Sequence, residues 1–566
     1  MKKKVSAFSV IAAAFVACAL ISCAGAPAAK SAAAQPAKAK TILAEVEGSN
    51  GMVASAHPLS AQAGLEILKK GGNAVDAAVA TAFANGVVEP NANGIGGEGY
   101  IVIYIKKTNK VTSIDYRSRA SYNARPADAK KWPSDGYLGV AVPGTVAGLA
   151  KALSEYGTMS LAEVVEPAAK LAENGFTVSE TLAGVIAENF KRVMPDKYLY
   201  SIIAPNGLPL EAGDTYKNPD LAKSLRLIGK EGPDAFYKGD LAKNIADAMR
   251  ANGGVIDEKD LADYKAIERE PARGSYRGYD IVSAPAPVGG FLLIESLNMI
   301  ENYDIKSMGF DSPKKIHLFS EVFARAFDDY YNVLGDPDFT NVPMQALCSK
   351  GYAKAKAAQI NLDQMTTSYE PVDVDSQHWS TTHMSVVDKD GNLVALTQTL
   401  SAFFGAGVAV PGTGIILNNE MGNFNGKKGP AAYQPGKRMN TTIAPTIIMK
   451  DGKAFATLGT PGATRIVPTL AQIITNIIDY NMGMQEAIEA PRMFCTYLQG
   501  PGKTKLDIEG AFYPPETLSA LETMGYKINS YEKRDLFFGG VQGILIQNGQ
   551  LHGGADPRRD GAVAGY

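Results

Sequence analysis

The sequence is poor in cysteine and has almost no excess of either charge. Its four cysteines, Cys18, Cys23, Cys348 and Cys495, show neither a disulfide framework nor the spacing of zinc ligands. Lysine and arginine number 56 against 58 aspartates and glutamates, which leaves a net charge of −2 and no field of one sign to attract nucleic acid. We therefore expect no disulfide-stapled fold, no structural zinc and no nucleic-acid partner.

Motifs for nucleotides and catalytic metals are missing as well. The chain has no G-x-x-x-x-G-K-[ST] loop, and its five histidines include no H-E-x-x-H pair. The segment G-I-G-G-E-G at 94–99 fits G-x-G-x-x-G, but a helical pattern precedes it and a strand pattern follows it. A dinucleotide site needs the reverse order, so the segment is predicted to be a structural loop. We expect no metal and no cofactor.

The composition is that of a large globular protein of α/β or α+β type. Hydrophobic residues make up 46% and charged residues 20%, with 57 glycines spread along the chain. Apolar residues recur at helical spacing in several segments. The predicted helices include 62–70, 74–88, 145–156, 161–174, 240–251 and 467–479.

Strand pairs concentrate in the last third of the chain. Three pairs of β-rich runs flank Asp390-Gly391, Asp451-Gly452 and Asn548-Gly549, which are typical of tight hairpin turns. Hairpins interspersed with apolar helices favour stacked antiparallel sheets covered by helices, which is an α+β fold, over a doubly wound parallel sheet.

The N-terminus has the pattern of a secretory signal. Three lysines precede an apolar run at 5–21, and the run ends in Leu20-Ile-Ser-Cys23, which resembles a bacterial lipobox. The resemblance implies a signal peptide over 1–22, lipid on Cys23, and a location in the cell envelope, at the periplasmic face of an outer membrane or the cell surface. The Ala/Pro/Lys-rich segment 23–40 is predicted to be a solvated tether. A cleaved, soluble secretory protein is the alternative.

One segment carries the chemistry. Ser380-Thr381-Thr382-His383 directly precedes a β-strand and resembles the start of the small subunit in the gamma-glutamyltransferase family, also called glutathione hydrolases. Further matching motifs occur in family order at 71–79, 94–97, 142–148, 417–419, 459–462 and 556–566. The resemblance covers roughly 44–566 and implies an N-terminal nucleophile hydrolase fold, a four-layer α/β/β/α sandwich.

Membership in that class implies self-cleavage between Ser380 and Thr381. The products would be a large subunit, 41–380 after the tether, and a small subunit, 381–566, which stay associated. A threonine hydroxyl is a poor nucleophile without a base, and cleavage frees the α-amine of Thr381 to act as that base. An α-amine has a pKa of about 7.7 to 8.0, close to working pH.

Other family positions carry over one at a time. Thr399 matches the second threonine, whose hydroxyl tunes the first. Gly462 and Ala463 fall where the family has Gly-Gly, whose backbone N–H groups form the oxyanion hole. Alanine keeps its N–H, so the hole is preserved if the φ angle of Ala463 is negative.

The remaining positions imply a pocket for the acyl donor. Arg117, Thr441 and Thr442 match residues that hold the donor's α-carboxylate. Ser401, Glu420 and Asn423 fall where the family surrounds the α-amine. The family usually has Asp at the last of these positions, so Asn423 removes one of two negative charges facing the ammonium.

The function implied is that of an autoprocessed γ-glutamyl hydrolase/transferase acting on glutathione and related compounds, with water, amino acids or peptides as acceptors. The same chemistry on donors without the α-amine, such as glutaryl compounds, or on γ-linked polymers is an alternative. The short interval 424–440, where relatives carry a lid, predicts an open cleft. A catalytically silent envelope protein that only binds is the alternative from another class.

Overall fold

The computed structural model describes residues 43–124, 132–367, 379–424 and 429–566. Residues 42–566 form one compact unit. The predicted signal peptide, Cys23 and the tether lie outside the described residues. Within the described ranges, no helix combines the length and the apolar character that crossing a membrane requires.

Within these ranges the strands form two large antiparallel sheets of seven strands each, with shorter strands outside them. In chain order the strands are β1 Val46–Gly48, β2 Gly51–Ser55, β3 Glu98–Ile105, β4 Lys110–Tyr116, β5 Phe176–Thr177, β6 Thr215–Tyr216, β7 Ile267–Arg269, β8 Ala272–Tyr276, β9 Tyr279–Ser283, β10 Trp379–Asp388, β11 Leu393–Ala402, β12 Ala409–Val410, β13 Ile415–Ile416, β14 Thr446–Lys450, β15 Lys453–Gly459, β16 Met493–Phe494, β17 Lys505–Ile508, β18 Lys527–Ser530, β19 Gln542–Gln547, β20 Gln550–Ala555 and β21 Ala562–Gly565. Sheet 1 has the order β21-β2-β10-β11-β3-β4-β7, and sheet 2 has the order β1-β20-β19-β15-β14-β9-β8.

Helices cover both outer faces. They are α1 Pro58–Lys69, α2 Ala74–Val88, α3 Thr145–Tyr156, α4 Leu161–Asn174, α5 Glu180–Val193, α6 Lys197–Ile203, α7 Pro219–Glu231, α8 Asp234–Tyr237, α9 Asp240–Ala251, α10 Glu258–Ala262, α11 Gly290–Ile300, α12 Ile305–Met308, α13 Pro313–Val333, α14 Met344–Leu347, α15 Lys350–Ala357, α16 Ile466–Ile478, α17 Met484–Glu489 and α18 Pro515–Thr523. Short 3₁₀ turns lie at Tyr137–Gly139, Glu420–Asn423, Ala463–Arg465, Gly510–Phe512 and Leu536–Phe538.

The alternation of side chains along the strands of sheet 1 creates the layers. On β3, Ile101 and Ile103 pack into the hydrophobic core formed with the helices α1 to α9. Tyr100 and Val102 point the other way, into the core shared with sheet 2 and with α11, α13 and α16. Because successive strand residues face opposite sides, one strand serves both cores. The result is four layers, α/β/β/α.

The sequence predictions of class and elements are confirmed. The fold is an α+β sandwich with stacked antiparallel sheets, and the three Asp-Gly or Asn-Gly turns connect β10 to β11, β14 to β15 and β19 to β20. The predicted helices at 74–88, 145–156, 161–174 and 240–251 have the bounds of α2, α3, α4 and α9.

Residues 94–97 of the glycine motif form a loop after α2, as predicted, and the last two residues of the motif, Glu98 and Gly99, begin β3. The glycines of the motif allow close backbone approach. A Cβ at Gly96 would collide with the carbonyl oxygen of Ile416, and a Cβ at Gly97 would collide with that of Thr399. The motif therefore lets the start of β3 pack closely against β11 at Thr399, the residue that matches the family's second threonine.

No feature of the sequence decides whether Cys348 and Cys495 are free or bridged. Both are free thiols, and Cys495 is buried. Burial raises the pKa of each thiol to about 12, so neither is a thiolate at neutral pH.

Candidate active site

A bulge between β10 and β11 brings the two threonines together. Ser380 pairs with Ser401 and Thr382 pairs with Gln398, so two steps along β10 match three along β11. The extra residue on β11 sets Thr399 beside Thr381, and their hydroxyl oxygens lie 3.2 Å apart. Bulges commonly re-aim side chains at functional sites, and this one produces the predicted pair.

The chain is continuous through Ser380 and Thr381, so these contacts are those of the unprocessed precursor. The hydroxyl of Thr381 donates to the carbonyl oxygen of Ser380. The hydroxyl of Thr399 donates to the same oxygen at 2.5 Å and accepts a hydrogen bond from the backbone N–H of Ser401 at 2.8 Å. Two hydroxyls thus converge on the carbonyl of the bond predicted to be cut.

Two ionisable residues that sequence reasoning did not single out, Arg559 and Glu89, contact the nucleophile strand β10. Arg559 donates from Nη1 to the carbonyl oxygen of Thr381 at 2.9 Å, and Glu89 accepts from the hydroxyl of Thr382 at 2.6 Å. Burial raises the pKa of Glu89 to about 7, against the opposing effect of Arg559. Arg559 lies inside the matched C-terminal motif, but no local pattern marks its contact with a residue 178 positions away.

His383 lies two residues beyond Thr381 and is fully buried. Its ring nitrogens contact the hydroxyls of Thr397 at 2.8 Å and Ser385 at 3.1 Å. Burial lowers its pKa to about 3, so the imidazole is neutral and fully engaged at working pH. Its role here is to hold strands together.

The turn expected to form the oxyanion hole contains two consecutive residues with positive φ angles. Gly462 has φ +135° and Ala463 has φ +50°, so the negative φ on which the sequence-based prediction of the oxyanion hole was conditional is not present. A left-handed conformation costs a residue with a Cβ about 1 to 2 kcal/mol. The hydroxyl of Thr442 donates to the carbonyl oxygen of Ala463 at 2.6 Å and helps to fix the turn.

The N–H groups of this turn remain available. Among the described residues, neither the N–H of Gly462 nor that of Ala463 donates a hydrogen bond. The turn packs against β10 and leads into the N-terminus of α16. Free N–H groups at the start of a helix suit a developing negative charge.

The predicted carboxylate-binding arginine is enclosed. Arg117 follows β4 and is completely buried. Its Nη2 donates to Glu420 at 2.9 Å, its Nε donates to the carbonyl oxygen of Met439 at 3.3 Å, and its Nη1 is ion-paired with Glu98. Burial lowers the pKa of Arg117, and Glu420 opposes that shift. Two of the three guanidinium nitrogens, Nε and Nη2, therefore donate hydrogen bonds within the protein, and Glu98 lies against the third.

The three residues expected around the donor's α-amine lie together. Asn423 donates from Nδ2 to Glu420 at 2.6 Å and to the hydroxyl of Ser401 at 3.2 Å. Of the two threonines expected at the carboxylate, Thr442 uses its hydroxyl on Ala463, as described above. The half-buried Thr441 has no side-chain hydrogen bond to any described residue and can still donate one.

Glu98 was missed by sequence reasoning because it lies within the glycine motif interpreted only as a loop. Among the described residues, no three His, Cys, Asp or Glu side chains come together in a way that would hold a metal ion.

Comparisons with known proteins agree with this geometry. The family model described as gamma-glutamyltranspeptidase matches residues 60–566. The chain is 42% identical over 552 residues to the glutathione hydrolase proenzyme of Escherichia coli strain K12, covering 92% of this chain and 93% of that protein. It is 41% identical over 530 residues to the acylase ACY 1 proenzyme of Pseudomonas sp. strain SE83, covering 91% and 93%.

Solved structures show the same similarity. Cephalosporin acylase from Bacillus halodurans matches with a TM-score of 0.86 at 31% identity, over 94% of this chain and 99% of that chain. A gamma-glutamyltranspeptidase chain from Helicobacter pylori matches with a TM-score of 0.53 at 37% identity, over 58% of this chain and 95% of that chain.

Proposed function

Because the chain belongs to the gamma-glutamyltranspeptidase family and has its N-terminal nucleophile hydrolase fold, we propose that it is an autoprocessed enzyme that hydrolyses or transfers the γ-glutamyl group of glutathione and related amides. The observation that carries the proposal is the convergence of the Thr381 and Thr399 hydroxyls on the carbonyl of Ser380. The relatives that bear the word proenzyme in their names support maturation by cleavage.

Maturation begins with the hydroxyl of Thr381. Its Oγ1 attacks the carbonyl carbon of Ser380, and its proton passes to the nitrogen of Thr381 as the peptide bond breaks. Negative charge builds on the carbonyl oxygen of Ser380, where the hydroxyl of Thr399 donates. Water then hydrolyses the ester, leaving Ser380 as a new carboxylate and Thr381 with a free amine.

Turnover uses the same two atoms of Thr381. The amine takes the hydroxyl proton as Oγ1 attacks the γ-carbonyl of the donor, and the same amine then protonates the leaving amine. The unpaired N–H groups of Gly462 and Ala463 stabilise the oxyanion. Water or an amino acid resolves the acyl-enzyme, and no cofactor takes part in these steps.

Recognition of the donor falls to the buried polar pocket beside the threonines. Glu420, with Asn423 and Ser401, contacts the α-amine, while Thr441 and Thr442 face the α-carboxylate with Arg117 behind them. A hydrogen bond to a charged group contributes about 1.5 to 3 kcal/mol. The neutral Asn423 therefore weakens γ-glutamyl recognition by about ten- to a hundredfold relative to a pocket with a second carboxylate at that position.

The proposal extends to an envelope location through lipid on Cys23. It is supported by the basic start, the apolar run and the lipobox-like sequence before that cysteine. Growth of the expressing cells with radiolabelled palmitate tests it. Label is expected in the full-length chain and not in a Cys23→Ser variant.

N-terminal sequencing and intact mass of the purified protein test the enzyme itself. The expected result is a small subunit that begins at Thr381, with turnover of γ-glutamyl p-nitroanilide. A single uncleaved chain without turnover would favour the silent binding protein.

The similarity to acylases gives the second candidate a specific basis, because both the ACY 1 relative and the cephalosporin acylase structure cover more than nine tenths of this chain. Glutaryl p-nitroanilide turned over as well as or better than the γ-glutamyl compound would favour it.

A further inference from the structure

Arg559 is a buried arginine that reaches the nucleophile strand from the C-terminal segment. Residues 556–561 connect β20 of sheet 2 to β21 of sheet 1, so this segment runs from one sheet to the other. Nη1 of Arg559 donates to the carbonyl oxygen of Thr381 at 2.9 Å, and the residue is only 8% exposed. A hydrogen bond from a buried charged donor is strong because the local dielectric is low. The residue that supplies the nucleophile is therefore held from its C-terminal side.

The neighbouring arginine, Arg558, makes a different set of contacts. It donates to the carboxylates of Glu509 and Asp556 and to two backbone carbonyls, which engages its whole guanidinium group. Among the described residues, the guanidinium of Arg559 has one hydrogen-bond acceptor, the carbonyl of Thr381, and its buried Nε has none. Buried polar groups with a structural role are normally satisfied, as those of Arg558 are. The single contact of Arg559 thus points to the nucleophile rather than to the packing of the segment.

The backbone that carries Arg559 is fixed on both sides. Asp556 accepts a hydrogen bond from the backbone N–H of Val541 at 2.8 Å, and Asp560 accepts from two hydroxyls near the start of α5 at 2.6 and 2.8 Å. The stem of the arginine packs over Gly540, where a Cβ would lie 2.7 Å from Cδ of Arg559. Because its supports lie within the folded protein, the guanidinium is in place before any reaction begins.

Thr381 needs such a restraint because few strand contacts hold it. It lies at the bulge and is not one of the residues paired between β10 and β11, and pairing of β10 with β2 begins only at Met384. Cleavage would remove the peptide bond to Ser380 and turn Thr381 into a chain end. Attack requires the reacting atoms to be held about 3 to 3.5 Å apart in a fixed orientation. The hydrogen bond from Arg559 restrains the residue in both states of the chain.

We propose that Arg559 is a positioning residue, whose guanidinium fixes the carbonyl of Thr381 and thereby orients the Thr381 hydroxyl toward the carbonyl of Ser380 before cleavage and toward the donor's γ-carbonyl afterwards. It acts through Thr381 and not on the donor. The inference rests on the proposed function, since it concerns the nucleophile of the same acyl transfer.

The time course of cleavage in the pulse-labelled full chain tests the first of these two steps. Arg559→Ala should release the small subunit about ten- to a hundredfold more slowly than the unsubstituted chain, as expected for loss of a hydrogen bond from a charged group. Arg559→Lys keeps the charge but not the planar guanidinium and should be slowed about tenfold. The lysine variant also decides the question if the alanine variant does not fold. Equal rates for Arg559→Lys and the unsubstituted chain would overturn the proposal.

Turnover by the cleaved fraction tests the second step. Per small subunit, kcat of Arg559→Ala for γ-glutamyl p-nitroanilide should fall about ten- to a hundredfold while KM changes little, because the groups around the donor are untouched. A raised KM at unchanged kcat would mean that Arg559 acts on donor binding, which is contrary to the proposal.

Guanidinium chloride separates positioning from stability. Arg559 lines a cavity of about 20 Å³ with Glu89 and Asp560, and Arg559→Ala enlarges this space. At concentrations too low to unfold the protein, guanidinium should enter it and restore part of the cleavage rate.

A matched control is Arg325→Ala, which removes an arginine that is 1% exposed and donates to backbone carbonyls on and beside α13. It should cleave at the unsubstituted rate with or without the ion. If guanidinium failed to restore cleavage in Arg559→Ala, or if Arg325→Ala were slowed equally, the role of Arg559 would be structural only and the proposal would be overturned.

The unsubstituted chain distinguishes these results from failure of the proposed function. If it is cut before Thr381 and its small subunit gains the mass of an acyl group from the donor, the enzyme is as proposed and only the variants bear on Arg559. If it stays whole and gains no acyl group, both the proposed function and the role of Arg559 are overturned.

Discussion

The candidate active site has two ends that differ in chemistry, a neutral end at the scissile bond and a charged end at Arg117. At one end, the groups at the scissile bond, Thr381, Thr399 and the carbonyl of Ser380, are neutral and linked by hydrogen bonds. At the other end, Glu98 and Glu420 enclose Arg117, all three fully or almost fully buried. Strands β10, β11 and β3 of sheet 1 carry Thr381, Thr399 and Glu98, while Arg117 follows β4 and Glu420 lies in a 3₁₀ turn.

Because of this difference, substitutions at the two ends should have different consequences. A buried charge must be paired, and the penalty for removing its partner is several kcal/mol. Leaving a buried hydroxyl without its hydrogen-bond partner costs only about 1 to 3 kcal/mol of stability. Substitutions at the charged end should therefore change which donor is accepted, and substitutions at the neutral end should change whether the chain is cut and whether it turns over.

The largest effect is expected from Thr381→Ala at the neutral end. Without the hydroxyl there is no attack on Ser380 and no acyl-enzyme, so the variant should remain one chain of about 60 kDa and lose all measurable turnover. A denaturing gel and the p-nitroanilide assay measure both. Thr382→Ala deletes the same atoms one residue later and should still be cut; an uncut Thr382→Ala would show that cleavage depends on the strand rather than on that hydroxyl.

Thr399 tests the second hydroxyl. Thr399→Val keeps the shape and removes the donor to the carbonyl of Ser380, so cleavage should slow by about ten- to a hundredfold, as expected for loss of a hydrogen bond to developing charge. Thr399→Ser keeps the hydroxyl and serves as the control. The rate of appearance of the small subunit in freshly purified precursor is the measurement, and equal rates for valine and serine would contradict the role.

At the charged end, Asn423→Asp should change selectivity. The substitution places a negative charge where the ammonium of a donor would lie, so the ratio of kcat/KM for γ-glutamyl over glutaryl p-nitroanilide should rise about tenfold. Cleavage before Thr381 should be unchanged, which separates this variant from those at the neutral end. An unchanged ratio would place the donor's charged groups away from Asn423.

The sequence predicts those features of the fold and the site that depend on local patterns. Helical periodicity and the Asp-Gly and Asn-Gly turns predict the layers, and the family motifs predict the pair of Thr381 and Thr399. The bulge that joins this pair depends on the register between two strands, which no local pattern specifies.

The charged end was harder to predict because its contacts cross strands. Glu98 and Arg117 lie near the facing ends of β3 and β4, so their pairing follows from the hairpin and from burial, not from spacing. Residue type alone also left the φ angle of Ala463 open, and the turn before α16 holds it in a left-handed conformation.

The last effect concerns stability rather than catalysis, and it is expected at Glu89, which accepts a hydrogen bond from Thr382 on the nucleophile strand. Its pKa in the folded protein, about 7, exceeds the ordinary value of 4.5, so the folded state holds a proton that the unfolded chain releases. Its contribution to stability is therefore present below about pH 4.5 and is lost as pH rises through 7. The loss is on the order of 3 kcal/mol, since one pKa unit corresponds to about 1.4 kcal/mol.

Glu89→Gln removes this titration and keeps a neutral side chain. In the uncleaved Thr381→Ala background, where one chain unfolds, the variant should gain stability relative to its parent between about pH 5 and pH 8, measured by urea unfolding. Glu47→Gln, an exposed substitution, should show no such gain. If the difference in unfolding free energy between the Glu89→Gln variant and its parent stayed constant or fell as pH rises, Glu89 would be ionised beside Arg559. Buried charges would then also lie next to the nucleophile strand.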